Sequence, residues 1–196
     1  MCTIAPRQVL LKTGQQATIR CASPEDAKAV VELSRHVAGE LAYTVTEPDE
    51  ALNFEEMSDR IRDRYSHPAR LLLLATDEHG EVVGELDCGA GSRRRIAHRA
   101  RIGISVAKSY RGQGIGRALI QVMLDWATAH TTIEKVVLGV FAENQAAIAL
   151  YERMGFALEG RRIREFKLGP GRYADDLIMA KMVKEPQRFS VRAGVL

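Results

Sequence analysis

The chain has 196 residues, of which 46% are hydrophobic and 27% are charged. A chain of this length buries one hydrophobic core and is short for two, and its composition excludes an intrinsically disordered protein. The net charge of +3 is spread along the sequence, so the overall charge alone does not indicate a polyanionic partner.

The sequence shows no membrane segment and no export signal. No apolar stretch approaches the roughly 20 residues that a membrane-spanning helix needs, and the N-terminus lacks the charged-then-apolar order of a signal peptide. Cys2, Cys21 and Cys88 are odd in number, lack CxxC spacing and lie far from any His cluster, which argues against a zinc site. We expect a cytoplasmic protein that binds no metal and no membrane.

Apolar runs of strand length and apolar residues at helical spacing alternate along the chain. In chain order they predict these elements: a strand at residues 17–20, helices at 23–39 and 54–65, strands at 70–75, 82–89 and 97–106, a helix at 115–130, a strand at 135–141, a helix at 144–154 and two strands separated by Gly169-Pro170-Gly171. Residues 1–16 are predicted to form a loosely held leader, and residues 184–196 a tail or an arm that reaches the partner subunit of a homodimer. This order predicts an α/β domain over residues 17–183, with helices on both faces of a mixed, seven-stranded sheet.

A basic turn, residues 92–101, leads into the third strand of the predicted antiparallel meander and includes its first residues. Its basic residues are Arg93, Arg94, Arg95, His98, Arg99 and Arg101. A run of this kind is typical of a solvated hairpin loop. A nucleic-acid-binding patch is the alternative, although no recognised binding motif and no interleaved aromatic residues accompany the arginines.

The segment with the most specific chemistry is Arg111-Gly112-Gln113-Gly114-Ile115-Gly116, which leads into a helix. Its glycines expose the backbone to a ligand, and the unpaired N–H groups of the helix N-terminus attract an anion. Arg111 and Arg117 flank the loop and can add charge-assisted hydrogen bonds, so a diphosphate fits better than one carboxylate. The spacing excludes the Gly-x-x-x-x-Gly-Lys-Ser/Thr of a P-loop and the Gly-x-Gly-x-x-Gly of a dinucleotide fold.

Two motifs occur in order along the chain. Arg111, Gly114 and Gly116 match the pattern Arg/Gln-x-x-Gly-x-Gly/Ala. A second pattern, an Asn followed by a helix that ends in Leu-Tyr-x-x-x-Gly-Phe, is carried by Asn144, Ala147, Leu150, Tyr151, Gly155 and Phe156. With both motifs, residues 17–183 resemble the GNAT superfamily of acyl-CoA-dependent N-acyltransferases. The resemblance implies the GNAT fold, a mostly antiparallel sheet with one splayed parallel pair, and acetyl-CoA as co-substrate without a metal.

The resemblance also implies roles for single residues. The backbone of Ile104, Ser105 and Val106 would pair with the pantetheine arm, and Val106 would aim the acetyl carbonyl. Backbone N–H groups of the loop would hold the pyrophosphate, from Arg111, Gly112, Gln113, Gly114, Ile115 and Gly116, with Arg117 beside them. Asn144 would contact the cofactor near the pantetheine, but Asn is equally suited to a helix N-cap there. Tyr151 would protonate the departing CoA thiolate.

Direct attack of an amine on a thioester requires a neutral amine and a stabilised leaving thiolate. A tyrosine hydroxyl can hydrogen-bond the sulfur because its pKa, about 10, is close to that of a thiol, although Tyr151 could also serve only in packing. The general base stays open among four residues near the expected cleft, Glu85, Asp87, His98 and Glu143, and water.

The sequence therefore predicts an N-acetyltransferase that moves an acetyl group from acetyl-CoA to a primary amine by direct attack. Residues 42–57 and the terminal hairpin at residues 161–176 are expected to select the acceptor, a small molecule or a protein N-terminus. The alternative function is a non-catalytic acyl-CoA-binding sensor module, which would have no use for Tyr151.

Overall fold

A computed structural model describes residues 4–40 and 42–184. Its helices and strands are β1 (Arg7–Leu10), β2 (Gln16–Cys21), α1 (Ala27–Gly39), α2 (Phe54–Ser66), β3 (Arg70–Asp77), β4 (Val82–Ala90), β5 (Arg99–Val106), α3 (Ile115–Ala129), β6 (Lys135–Phe141), α4 (Gln145–Arg153), β7 (Ala157–Gly169) and β8 (Arg172–Met182). The tail predicted at the C-terminus lies, from residue 185 onwards, outside the described residues. None of these helices combines the length and the apolar character that a membrane crossing requires.

One sheet contains all the strands described, in the order β1-β2-β3-β4-β5-β6-β8-β7. Neighbouring strands are antiparallel except β5 and β6, which are parallel, so the predicted mixed sheet with one parallel pair is confirmed. The predicted number of seven strands is wrong, because Arg7–Leu10 adds an eighth within the predicted leader. This edge strand is mostly exposed and therefore has no alternation of apolar and polar residues to reveal it.

Strand β3 shows how the sheet separates two apolar layers. Side chains alternate across a strand: Leu71 and Leu73 pack in the cluster that contains α3, whereas Leu72 and Leu74 pack with α1 and α2. All four are at most 3% exposed, and full burial of a leucine contributes about 1.5 to 3 kcal/mol. A continuous apolar run therefore marks a strand with helices on both faces.

The sheet opens between its two parallel strands. Their pairing runs from Arg99 opposite Lys135 only as far as Arg101 opposite Val137. Beyond that point β5 stays paired with β4 up to Val106, and β6 stays paired with β8 up to its own end. The two strands therefore separate toward their C-terminal ends and leave a gap in the sheet.

The basic turn lies at the other end of β5. Arg93, Arg94 and Arg95 are exposed around a single 3-10 turn, as expected of a solvated loop. Binding of nucleic acid by this turn is not tested by the fold and stays the alternative interpretation.

Candidate active site

The glycine loop forms the N-terminus of α3, next to the gap between β5 and β6. Gly112 and Gly114 have φ angles of 72° and 109°, which favour glycine over any residue with a Cβ. The first helical hydrogen bond runs from the Ala118 N–H to the Gly114 carbonyl at 3.0 Å, so the N–H groups between these two residues have no partner within the helix. A Cβ at Gly112 or Gly114 would meet no heavy atom within 4 Å, so the loop faces open space.

Contacts on both sides hold the loop in place. The side-chain amide of Gln113 donates to the Ser109 carbonyl at 2.7 Å, and the Gln113 carbonyl accepts from the Lys12 N–H at 3.2 Å. At Gly116 a Cβ would lie 3.2 Å from Leu150 of α4, so the glycine allows the two helices to approach closely. These contacts orient the free N–H groups before any anion binds.

The side chain of Arg111 makes contacts that the sequence did not predict. Its Nε donates to the Val106 carbonyl at 2.9 Å, and its two terminal nitrogens donate to the Glu40 carboxylate at 2.6 and 2.9 Å. The guanidinium therefore joins the loop to the end of β5 and to the end of α1. Arg117 is exposed on the first turn of α3.

Tyr151 and Asn144 reach the gap from α4. Tyr151 is 6% exposed and meets the Phe156 ring edge-on, with the ring centroids 6.0 Å apart. Burial raises the pKa of Tyr151 to about 12. The Asn144 Oδ1 accepts the Ala147 N–H at 3.2 Å, which confirms the N-cap interpretation, and both residues also border the cavity described next.

A cavity of about 940 Å³ begins at the gap and extends between the sheet and helices α1 and α2. Ile104 and Ser105 of β5 line it, and Gly103 leaves part of its floor without a side chain. The space in front of Gly139 is filled by the Asp176 carboxylate, whose Oδ1 would lie 2.8 Å from a Cβ there. Residues 43–46 and 50–52 wall one side, and the terminal hairpin contributes Arg162, Glu165, Phe166 and Asp176. Both segments expected to select the acceptor therefore contribute to one cavity.

Glu85 is a buried carboxylate in this cavity. It lies opposite Leu74 on β3 and opposite Ser105 on β5, so it projects from the sheet face that α1 and α2 cover. It is 9% exposed, and its Oε2 has no hydrogen-bond partner among the described residues. Burial raises the pKa of Glu85, and this effect exceeds the opposing attraction of Arg60.

The other three base candidates lie in different environments. Asp87 borders the cavity but binds Arg60 and Arg64, each at 2.7 Å. Burial opposes ionisation of Asp87, yet its hydrogen bond with Arg64 and the charge of Arg60 outweigh burial and lower its pKa. His98 and Glu143 are exposed and do not line the cavity.

Asp176 is the second buried carboxylate with an unpaired oxygen. It lies opposite Phe141 across the gap from Glu85, is 2% exposed, and its Oδ1 has no hydrogen-bond partner in the described part of the chain. Its Oδ2 accepts from Arg162 at 3.4 Å. Burial raises the pKa of Asp176 against the attraction of Arg162 and Arg101. In residues 4–40 and 42–184 no three His, Cys, Asp or Glu side chains form a group able to hold a metal.

Known proteins share this arrangement of sequence and fold. A model of the Acetyltransferase (GNAT) family matches residues 38–156. The L-amino acid N-acetyltransferase AaaT of Escherichia coli strain K12 is 28% identical over 170 residues, which cover 85% of this chain and 98% of AaaT. A GNAT-family acetyltransferase from Streptococcus pneumoniae has a TM-score of 0.81 at 30% identity, covering 86% of this chain and 99% of that one. The spermidine N-acetyltransferase of Vibrio cholerae, solved with CoA and spermine, has a TM-score of 0.69 at 26% identity, covering 85% of this chain and 95% of that one.

Proposed function

This chain belongs to the Acetyltransferase (GNAT) family, and from that premise we propose that it acetylates the primary amine of a small molecule by direct attack on acetyl-CoA. The class of enzyme and the acetyl donor follow from the family and from its relatives. The observation that carries the proposal is the gap between β5 and β6. The start of α3 lies beside it, where a Cβ at Gly116 would be 3.8 Å from Ile104, and Ile104 and Tyr151 both line the cavity into which the gap opens.

The residues around the gap fit acetyl-CoA. Because β5 loses its parallel partner after Arg101, the backbone of Ile104, Ser105 and Val106 is available on that edge for an extended amide-containing arm. The N–H groups of the loop, at Gly112 to Gly116, would hold the pyrophosphate at the positive end of α3. The resemblance implies that Arg111 adds its own N–H to this set, but that N–H donates to the Lys108 carbonyl at 3.3 Å, and its guanidinium binds Glu40 and Val106. Arg111 therefore contributes through its position in the loop.

Tyr151 would donate the proton that the leaving thiolate needs. Its raised pKa keeps the hydroxyl protonated throughout the neutral range, so a hydrogen-bond donor is always present. The same shift moves the pKa away from that of a thiol and makes full proton transfer to the thiolate harder than from an exposed tyrosine. A phenol in an apolar site interacts more strongly with a developing negative charge than a phenol in water. Asn144 would contact the cofactor beside it, with its Oδ1 already occupied by the helix cap.

Glu85 is the residue that we propose as the general base. An amine must lose a proton to attack, and a carboxylate whose pKa is raised by burial accepts a proton more readily at neutral pH than an exposed one. Glu85 lies opposite Ser105 on β5. The residue after Ser105 is Val106, which would aim the acetyl carbonyl. Asp87 is less suited, because two arginines stabilise its ionised form.

The acceptor that we propose to test first is a free amino acid. The relative AaaT is named for L-amino acids, and the cavity presents Arg101, for which no ion pair is found in the described residues. Arg101 could bind a substrate carboxylate while Glu85 faces the amine. Polyamines are the second class, because the Vibrio cholerae relative is named for spermidine. The sensor alternative is not favoured, since Tyr151 reaches the cavity.

The experiment that tests this function is release of CoA thiol from acetyl-CoA in the presence of pooled amino acids, polyamines, aminoglycosides and peptides. Acetyl-CoA alone should raise the melting temperature, because a ligand that binds the folded state stabilises it. One amine pool should then release thiol at a rate above that of hydrolysis. A stabilised protein without release from any pool would favour the sensor module instead.

A further inference from the structure

We infer that the ion pair between Arg111 and Glu40 is a positioning contact that couples cofactor binding to the wall of the acceptor cavity. The inference rests on the proposed function, in which the glycine loop holds the cofactor and the cavity holds the amine. It assigns Arg111 a role that differs from binding the diphosphate through its side chain.

The guanidinium of Arg111 is held on two sides. Three of its N–H groups donate to fixed acceptors, one to the Val106 carbonyl and two to the Glu40 carboxylate. Glu40 is shielded, with its side chain 14% exposed, and a bidentate arginine–carboxylate pair constrains direction as well as distance. A ligand that restrains the backbone of Arg111 therefore also restrains Glu40 at the end of α1.

The segment that follows Glu40 forms part of the cavity wall. We call residues 42–52 the cover segment, because it contributes Tyr43, Thr44 and Val45 and, further along, Glu50 and Leu52 to the cavity lining. Only a 3-10 turn at Pro48–Glu50 gives this segment regular structure. Its position therefore depends on how its ends are held.

Tyr43 holds the cover segment on the far side of the gap. Its hydroxyl donates to the Glu143 carbonyl at 3.4 Å, and its ring lies 6.0 Å from the ring of Phe141 at the end of β6. Glu40 is held near the end of β5 and Tyr43 near the end of β6, so these two described residues lie on opposite sides of the gap between the separated strands. Tyr43 has φ 55°, a left-handed conformation that costs a non-glycine residue about 1 kcal/mol or more, so its contacts must maintain it.

These contacts predict an order of binding, with CoA before the amine. An anion on the N–H groups of Gly112 to Gly116 adds a restraint to a loop that its own contacts already orient. The Arg111 side chain would carry this added restraint to Glu40 and, through it, to the start of the cover segment. Binding of the CoA moiety should therefore order the wall of the acceptor cavity before the amine enters. Because coupling between sites is reciprocal, an amine held by that wall should in turn strengthen CoA binding.

Hydrogen exchange of residues 42–52 with and without CoA tests the coupling without a known acceptor. In the wild-type protein CoA should slow exchange in this segment about tenfold, within the range of ordinary coupling between sites. Glu40→Gln keeps the size of the side chain but loses the ion pair, so it should remove most of this protection. Glu32→Gln is the matched control, since Glu32 is an exposed residue on the same helix, and it should behave as the wild type.

Two results would overturn the coupling. One is equal protection by CoA in the wild type and in Glu40→Gln. The other is faster exchange of residues 42–52 when CoA binds, which would mean that Arg111 leaves Glu40 for the diphosphate. Arg111→Lys, which retains the charge but cannot form the bidentate pair, gives a second test if Glu40→Gln does not fold, and it should also lose the protection.

Kinetics separate this inference from the proposed function. With an active acceptor, Glu40→Gln should raise the KM for the amine about tenfold and leave kcat within about twofold, because the contact orders the wall but does not touch the reacting atoms. A wild-type protein that releases no thiol with any amine contradicts the proposed function, and the exchange experiment still decides the coupling. A wild-type protein that does not bind CoA contradicts both.

Discussion

Arg101 and Val137 are the last residues at which β5 and β6 pair, although both strands continue beyond them. Each strand keeps its other neighbour, so the separation is built into the sheet and does not arise from frayed ends. The two buried carboxylates with an unpaired oxygen in the described residues, Glu85 and Asp176, lie on opposite sides of this gap. The break in pairing therefore supplies an unpaired strand edge for a ligand, with the two buried carboxylates beside it.

Replacement of Glu85 by glutamine should reduce kcat/KM about 100-fold, the lower end of the effect of a general base. Because burial raises the pKa of Glu85, the wild-type rate should rise with pH up to that raised value, as the carboxyl loses its proton. Glu85→Gln should lose this acidic limb. Glu143→Gln is the control, since Glu143 is exposed and lies outside the cavity lining. A pH profile that is unchanged in Glu85→Gln would leave water as the base.

Replacement of Tyr151 by phenylalanine should lower kcat about 100-fold without loss of acetyl-CoA binding. The ring would keep its contact with Phe156, and only the proton donor would be removed. Thiol release gives the rate, and the shift in melting temperature with acetyl-CoA gives the binding. Tyr173→Phe, which removes a hydroxyl from an exposed tyrosine, should change neither. Full activity in Tyr151→Phe would reduce Tyr151 to a packing role.

The parts of the fold that follow from local pattern could be predicted from the sequence. Ile115, Leu119 and Met123 stand at helical spacing, and all are at most 1% exposed in α3. Strand β1 could not be predicted, because an exposed edge strand obeys no burial pattern. Its pairing with β2, the one neighbour that β1 has among the described strands, becomes evident only when the chain is folded.

In the candidate site, too, some features could be predicted from the local sequence and others depend on the folded chain. Asn144 as a helix cap is a local property, and the hydrogen bond to Ala147 confirms it. The partner of Arg111 is 71 positions away, and no local rule connects an arginine in a glycine loop to a glutamate at the end of a distant helix. Burial likewise singles out Glu85 among the four base candidates, and burial is a property of the assembled sheet.

Replacement of Gly114 by valine should abolish the stabilisation by acetyl-CoA. A side chain there would fill the space that the loop leaves open, and φ 109° would strain any residue with a Cβ by about 1 to 3 kcal/mol. Gly80→Val is the matched control, because Gly80 has φ 86°, also faces open space and lies in the turn between β3 and β4. Both variants should lose stability, but only Gly80→Val should still gain melting temperature with acetyl-CoA. A ligand shift that survives in Gly114→Val would contradict the diphosphate site.

Asp175 and Asp176 should respond to pH in opposite directions when each is replaced by asparagine. Burial raises the pKa of Asp176, so the folded protein holds this proton to a higher pH than the unfolded chain does. Its ionisation therefore costs stability, and the cost grows as pH rises from the unfolded pKa through the folded one. Asp176→Asn should be more stable than the wild type at pH 8 by about 1 kcal/mol, the size expected for an unsatisfied buried group, and this gain should shrink toward pH 4.

For Asp175 both the pKa shift and the expected change in stability have the opposite sign. Hydrogen bonds from the Arg164 N–H at 2.7 Å and from Arg161 at 2.6 Å lower the pKa of Asp175. The stability that its ionised form contributes is present above the unfolded pKa and is lost as pH falls through the folded one. Asp175→Asn should therefore be less stable than the wild type at pH 8, and the deficit should shrink in acid. Urea unfolding of both variants at pH 8 and pH 4 measures the two differences. If Asp176→Asn is instead destabilised at pH 8, the attraction of Arg162 and Arg101 outweighs burial, and Asp176 is a paired carboxylate in the folded protein.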